Sequence, residues 1–379
     1  MSKSESLPEV SSVDPLPGRG RGLSAGRTVK VATIARTAGV SAGAVSSLLT
    51  SPDGRGRVSP KTRAVILKAC RDLGYQPKDP KALNLIYPEL GGYCFLLPKS
   101  VDNVRTSYYS YLFSGVVEAL ADRAGQITFC QFDDAMDYHA NPEALPAPLR
   151  TGSATKFLCA GQANLSLLEA IQQKGARAVY LGQYQPLQGM VSVVPDYPSG
   201  TRQMLAHLIG LGHRRIAFSL GPLGANSYNI LEQRRTIEAV LAEHGISLPP
   251  DYSFFGVLGA EGGVIAIDNI MRCAERPTAL YCFNDSSAAG AIGRAQQLGL
   301  RVPEDLSITG FDDVPLAASL HPALTTVHTP IEEIGRTGVR ELQAMLELDE
   351  DDVSKRPPRK VVIPTTLVVR SSTAVPGRV

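Results

Sequence analysis

No two of the six cysteines in this 379-residue chain are spaced Cys-x-x-Cys. Cys70, Cys94, Cys130, Cys159, Cys273 and Cys282 are scattered, most of them in stretches that read as strands or helices. Neither a disulfide framework nor a thiolate metal site is expected, and the pattern suits buried, reduced thiols in a cytoplasmic protein. No apolar run reaches the length of a membrane span. Met1 to Gly26 is polar and lacks the continuous apolar core of a signal peptide. His-Glu-x-x-His, a phosphate-cradling loop and a Ser/His/Asp set at strand ends are also missing. Asp312-Asp313 makes a poor carboxylate pair, because adjacent residues on an extended end point apart. His321 and His328 lack metal spacing to any Cys or His. The expectation is therefore no catalysis, no cofactor, no metal and no membrane partner. What is present is 44% apolar residues, enough for a packed core, in a length that suits two or three domains.

The stretch around which the chain is organised is Val31 to Leu73. Thr33 to Ala38 reads as a short helix closed by Gly39, which takes a left-handed turn without steric cost. Val40 plugs the turn. Ser41 is a good N-cap for a second helix, Ala42 to Leu49, with Ala44, Val45, Leu48 and Leu49 on one face. Ser59 caps a third helix, with Pro60 at its first position and Gly74 past its end. Three short helices with a four-residue turn between the first two place helix two in a DNA major groove.

Charge agrees. Residues 19 to 81 carry thirteen Lys and Arg against three Asp, a net of +10, whereas residues 82 to 379 carry a net of −6. A basic headpiece on an acidic body is the footprint of phosphate binding. Residues 1–27 are rich in Ser, Pro, Gly and Arg and read as a disordered basic tail. Arg55 and Arg57, on a Gly-rich loop after helix two, are placed to contact phosphates, which position a protein without reading sequence.

From Gly92 strands and helices alternate. Strands are expected at Tyr93–Leu97, Ile127–Phe129, Lys156–Cys159, Ala178–Leu181, Val191–Val194, Ile216–Leu220, Ser253–Gly256, Ala279–Phe283, Ser307–Gly310 and Leu367–Val369. This βαβα order predicts parallel sheets covered on both faces. About 280 residues exceed one such sheet, so two are expected, with a ligand in the cleft beyond the carboxyl ends of their strands.

Several stretches resemble the lactose-repressor (LacI/GalR) family. They are Val31-x-x-Ile34-Ala35-x-x-Ala38-Gly39-Val40-Ser41-x-x-x-Val45-Ser46, then His207-Leu208-Ile209-Gly210-Leu211-Gly212-His213-Arg214-Arg215-Ile216-Ala217, Arg301-Val302-Pro303-Glu304-Asp305-Leu306-Ser307-Ile308, Gly310 to Leu316 and Pro322 to Val327. The resemblance covers about residues 29 to 373. It implies a helix-turn-helix headpiece at 28–75, a hinge at 76–91 and a periplasmic-binding-protein-like effector sensor at 92–373. The sensor would have two doubly wound parallel-sheet subdomains, about 92–192 with 328–358 and about 193–327 with 359–373, crossed near Val193, Val327 and Arg359.

The resemblance also implies roles. DNA would be met by Thr33, Ser41, Ala42, Gly43, Ala44, Ser46, Ser47, Arg55 and Arg57. Where the family commonly has Thr-Val-Ser-Arg, this chain has Ala44-Val45-Ser46-Ser47. Ala42 and Gly43 fill the usual base-selecting positions, and neither can make a bidentate bond to a base edge. Leu83 and Leu85 flank Asn84, which occupies the position of the family's minor-groove leucine. Effector contacts carry over to Tyr108, Tyr109, Asn284, Asp285 and Asp312, with Asp133 and Gln183 at further strand ends. The family's pocket arginine counts onto Leu231, with Gln233 or Arg234 as substitutes. Asn284 and Asp312 are alternatively simple helix caps. The implied function is a cytoplasmic, homodimeric transcriptional regulator, a repressor, whose operator affinity is set by a sugar-like small molecule. Two other classes stay open: a periplasmic-type solute-binding protein, and a sugar-processing enzyme.

Overall fold

The computed structural model describes residues 29–51, 58–87, 92–99, 107–121, 127–221, 228–348, 353 and 356–377. The headpiece is three helices, α1 (Val31–Ala38), α2 (Ala42–Thr50) and α3 (Pro60–Asp72). Gly39 ends α1 at φ 67°. The Ser41 hydroxyl accepts the Ala44 N–H at 3.1 Å, and Ser59 caps α3 through the Thr62 N–H at 3.2 Å. Ile34, Val45, Leu48, Ile66 and Cys70 are fully buried where the three helices meet.

A fourth helix, α4 (Pro80–Ile86), occupies the hinge. Pro80 is tolerated because it stands in the first turn, where its missing N–H would have no helical partner. Asp79 caps it through the Lys81 N–H at 3.0 Å. Ala82 and Ile86 are buried in the headpiece core, and the Arg71 guanidinium donates to the Ile86 carbonyl at 3.2 Å. The Asn84 amide points elsewhere and donates to the Gly152 carbonyl of the sensor at 2.8 Å. One short helix thus joins both modules.

The sensor then runs β1 (Gly92–Pro98), α5 (Ser107–Leu120), β2 (Ile127–Phe132), α6 (Ala147–Thr151), β3 (Ala154–Ala160), α7 (Leu165–Gln173), β4 (Arg177–Leu181) and β5 (Val191–Pro195). It continues with α8 (Tyr197–Gly210), β6 (Ile216–Leu220), α9 (Tyr228–Glu243), β7 (Ser253–Phe255), α10 (Ala260–Ile270), β8 (Ala279–Cys282), α11 (Asp285–Gln297), β9 (Ser307–Thr309) and α12 (Pro315–Ser319). The last elements are β10 (Thr326–His328), α13 (Ile331–Leu346), β11 (Arg359–Ile363) and β12 (Thr366–Val368).

Two parallel sheets result, in the orders β11-β5-β4-β3-β1-β2 and β7-β6-β8-β9, with β10 and β12 paired antiparallel between them. Central strands are buried along their length, as sheets covered on both faces require. In the first sheet Phe95, Leu158, Val179 and Val193 pack on one side, and Cys94, Phe157, Cys159 and Tyr180 on the other.

The crossings expected near Val193 and Arg359 both lie a few residues later, since Val191–Pro195 is itself a strand of the first sheet. Arg359 to Ile363 pair in register with Val191 to Pro195, so this segment is an edge strand of the first sheet rather than the start of the second subdomain's return. The stretch Met136 to Arg150 is folded, not loose. The Asn164 amide donates to the Met136 and Asp134 carbonyls at 2.7 and 3.2 Å, and buried Tyr138 accepts the Asp133 N–H. In the Gly-His-Arg-Arg-Ile motif, His213 is a clamp. Its ring bridges the Thr278 hydroxyl and the Ala374 carbonyl, both at 2.9 Å, stitching the C-terminal segment to the second sheet. Burial lowers its pKa below the usual imidazole range.

Candidate functional site

Two surfaces stand out. The first is α2. Val45, Leu48 and Leu49 bury one face, which leaves Ser41, Ala42, Gly43 and Ser46 exposed and Ala44 and Ser47 half-buried. Thr33 on α1 is also half-buried. The exposed strip presents small side chains only, so a backbone can approach it closely. Arg55 and Arg57 lie outside the described residues. On α4, Leu83 and Leu85 are half-buried, and Leu85 packs on the headpiece core. Asn84, at the wedge position between them, is turned inward onto Gly152 and is no wedge in this conformation.

The second is the cleft between the sheets. Five side chains there end in buried polar atoms without a hydrogen-bond partner: Tyr108, Gln183, Asn229, Gln233 and Thr329. Contacts place them around one space. The Tyr108 hydroxyl lies over Gly182, where a β-carbon would come within 2.8 Å of it. Gly182 holds φ 82°, a conformation glycine takes without penalty, and Gln183 follows directly. Tyr197, which opens α8, donates to the Gly182 carbonyl at 3.3 Å and interacts with Tyr108 and Asn229. Asn229 and Gln233 are one turn apart on α9, so their side chains share a face. The Thr329 N–H donates to the Asp312 carbonyl at 3.2 Å. A buried polar group left unpaired costs about 1–3 kcal/mol, so this concentration marks a place that a ligand would satisfy.

Asp312 is central to it. The residue leaves β9 at φ 109°, rare for a non-glycine, and strain of this kind collects at ligand sites. Burial, with the Asp285 carboxylate below, raises its carboxyl well above the usual range. Burial likewise raises the phenols of Tyr109 and Tyr197, with the Asp312 charge as the next cause for both. Tyr108 and Tyr109 meet edge to face at 5.2 Å, and Tyr197 packs on Phe311 and Phe283.

Three residues expected in the pocket are elsewhere. Arg234 is exposed, pairs with Glu238 at 2.8 Å and stacks on Phe255. Its neighbour Gln233 faces the cleft instead. Asp285 is fully buried beneath the site. Its carboxylate accepts from the Thr326 hydroxyl and the Val314 N–H, and therefore braces the strand ends rather than meeting a ligand. Asp133 turns its carboxylate onto the Ala135 N–H at 3.0 Å, a local turn bond rather than a bond into the cleft. Asn284 caps α11 through the Ser287 N–H at 2.8 Å, which is the capping alternative, while its amide end stays half-exposed. Asn229, Thr329 and Tyr197 were not singled out by sequence. The signal available was the Asn229 and Gln233 pair, polar at helical spacing on a face that is otherwise apolar.

Comparison with known proteins completes the picture. Residues 31–78 match the family described as "Bacterial regulatory proteins, lacI family", and residues 205–373 match "Periplasmic binding protein-like domain". The chain is 38% identical over 182 residues to the HTH-type transcriptional repressor PurR of Aliivibrio fischeri (strain MJ11), covering 48% of this chain and 52% of the relative. The match thus spans about half the length of that relative. It is 29% identical over 369 residues to the HTH-type transcriptional regulator MalR of Streptomyces coelicolor, covering 92% and 98% of the two chains. Among solved structures, the transcriptional regulator CelR–cellobiose complex superimposes with a TM-score of 0.65 at 24% identity, over 91% of this chain and 99% of that one. With the headpiece, the hinge helix and the two-sheet sensor in this order, the chain joins a lacI-family DNA-binding headpiece to a periplasmic-binding-protein-like sensor.

Proposed function

We propose that this protein is a cytoplasmic, dimeric transcriptional repressor whose hold on operator DNA is set by a small molecule bound between the sensor sheets. The observation that carries this reading is α4. Ala82 and Ile86 belong to the headpiece core while Asn84 grips the sensor, so a change in the sensor is delivered to the DNA-reading helix. Helix α2 would enter the major groove with its small-residue strip, and sequence preference would come from close backbone approach and DNA shape as much as from base-edge bonds. A ligand touching Tyr108 and Gln183 from the first subdomain and Asn229, Gln233 and Asp312 from the second favours the closed arrangement, and only such differential contact shifts the balance. The relatives' names support repression, and the cellobiose complex of CelR supports a hydroxylated ligand.

Two exposed apolar groups support the dimer. Val117 and Phe129 lie on the first subdomain, and Phe255, Val257, Leu258 and Ile265 on the second. The reading contains no catalytic step. Its test is selection of bound sequences from random DNA by the full-length chain, followed by anisotropy titration of the selected site. The expected result is a roughly palindromic site, bound with a steep salt dependence as Lys and Arg displace counterions. Equal affinity for selected and random DNA would defeat it.

A further inference from the structure

Asp312 and Asp313 are neighbours with opposite surroundings. Asp313 is neutralised by Arg370 at 2.6 Å, with His328 Nδ1 at 3.2 Å. Asp312 takes no cation. The charged group that acts on it is another acid, Asp285, whose own oxygens are spent inward. The unpartnered atoms around Asp312 lean the same way. Gln183 Oε1, Asn229 Oδ1 and Gln233 Oε1 accept, Gln233 Nε2 donates, and the hydroxyls of Tyr108 and Thr329 do either. Gln233 is fully buried and Thr329 is 2% exposed, so these groups are built into the site. Among the described residues no lysine or arginine bonds to any of them. Lys360, at the cleft rim, is held by Glu232.

Desolvation beside Asp285 favours the protonated form of the Asp312 carboxyl while no cation is near, and an arriving ammonium supplies the counter-charge on which it ionises. Tyrosine faces attract an ammonium as well. An anionic ligand would meet an acid and a surplus of acceptors. We propose that the cleft takes a hydroxylated amine whose ammonium sits on Asp312 beside Tyr108, Tyr109 and Tyr197, and that it rejects carboxylated and phosphorylated ligands. The inference rests on the reading of this cleft as the effector site.

The test is calorimetry on the full-length chain with matched sets differing in one group: glucosamine, glucose, glucuronate and glucose 6-phosphate, and galactosamine, galactose and galacturonate. At least one amine should bind about tenfold or more tightly than its neutral counterpart, which is the order of effect for a desolvated charge pair, and the acids and phosphate should not bind. Asp312→Asn, which keeps the shape and tolerates the positive φ, should erase the difference. Gln233→Arg, which brings a cation into the cleft, should turn the preference toward glucuronate. A neutral or acidic compound binding as tightly as its amine, or no amine binding up to about 10 mM, overturns the proposal. Operator anisotropy separates it from the wider reading. An amine that binds without altering operator affinity leaves the charge assignment standing and defeats regulation through this cleft. Operator affinity altered by a neutral or acidic compound alone does the reverse.

Discussion

Lys360, in the last strand of the first sheet, grips Glu232, on the first helical turns of α9 in the second subdomain, with Nζ 2.7 and 2.9 Å from its two carboxylate oxygens. The ammonium also lies 5.9 Å from the Tyr184 ring, which meets Tyr228 of α9 edge to face. This is a clasp across the cleft mouth, and Glu232 directly precedes Gln233 in the cleft. Both partners are partly exposed, so the pair is worth no more than about 1 kcal/mol. That is enough to bias a balanced equilibrium. Lys360→Glu should open the ligand-free sensor, read as a larger radius of gyration by small-angle scattering. Lys360→Glu with Glu232→Lys should restore it. An unchanged radius in the single variant means the clasp does not hold the cleft.

Asp285 predicts how stability follows pH. Burial is the main cause that raises its carboxyl from 3.8 to about 7. A folded pKa above the unfolded one favours the protonated acid in the fold. The contribution is full below about pH 4 and is lost as pH rises through about 7. Asp312 is shifted in the same direction. Stability measured by urea titration should therefore fall between pH 5 and pH 8 by at most about 3 kcal/mol, the roughly two units of the Asp285 shift that lie above pH 5. Asp285→Asn should flatten the profile, since an amide oxygen still accepts the Val314 N–H. An equally steep profile in the variant would assign the slope to other groups.

Asn84 offers a cut between the modules. Its bond to Gly152 is partly buried, and Asn84→Ala leaves that carbonyl without this donor at a cost of about 1 kcal/mol. The headpiece should be released faster by limited proteolysis, and ligand affinity of the sensor should stay the same. Equal cleavage rates for the variant and the natural chain would show that the link carries no tension between modules.

Gly43 separates stability from DNA reading. A β-carbon there would meet only Ser41 Oγ at 3.8 Å, and the residue is exposed in the first turn of α2. Gly43→Ala should raise headpiece stability by up to about 0.5 kcal/mol, less than at a helix interior because the first turn is only partly ordered by helical bonds. It should at the same time weaken specific operator binding, because the methyl stands where the duplex backbone or a base edge approaches. A gain in both quantities would place Gly43 off the DNA.

Much of this architecture could be read from residues in a row, and the exceptions share a physical cause. Ser41, Ser59, Gly39 and Pro60 mark helix ends through local bonds, so the headpiece was legible. Ile216–Leu220 has the expected bounds because it is a strongly patterned run. Arg359–Ile363 was misplaced because its identity as an edge strand depends on pairing with Val191–Pro195, more than 160 positions earlier. The short ribbon strand Thr326–His328 is likewise defined by its partner, not by its own pattern. In the cleft, Asp312 and Tyr108 were found from strand ends and resemblance. Between Gln233 and Arg234 the residue types alone do not decide, and helical phase does: one position around α9 turns a side chain from solvent to cleft.

The burial of Ala82 and Ile86 beneath the headpiece has a practical corollary for chimeras. A graft that exchanges reading modules between regulators, cut at the Tyr75-Gln76-Pro77 corner, would strip the donor of two core side chains and leave Arg71 without the Ile86 carbonyl. The natural seam lies after Tyr87. A transplant that keeps α4 with its own three helices moves an intact folding unit, and the contacts of positions 81 and 84 with Gly152 are then to be matched in the recipient.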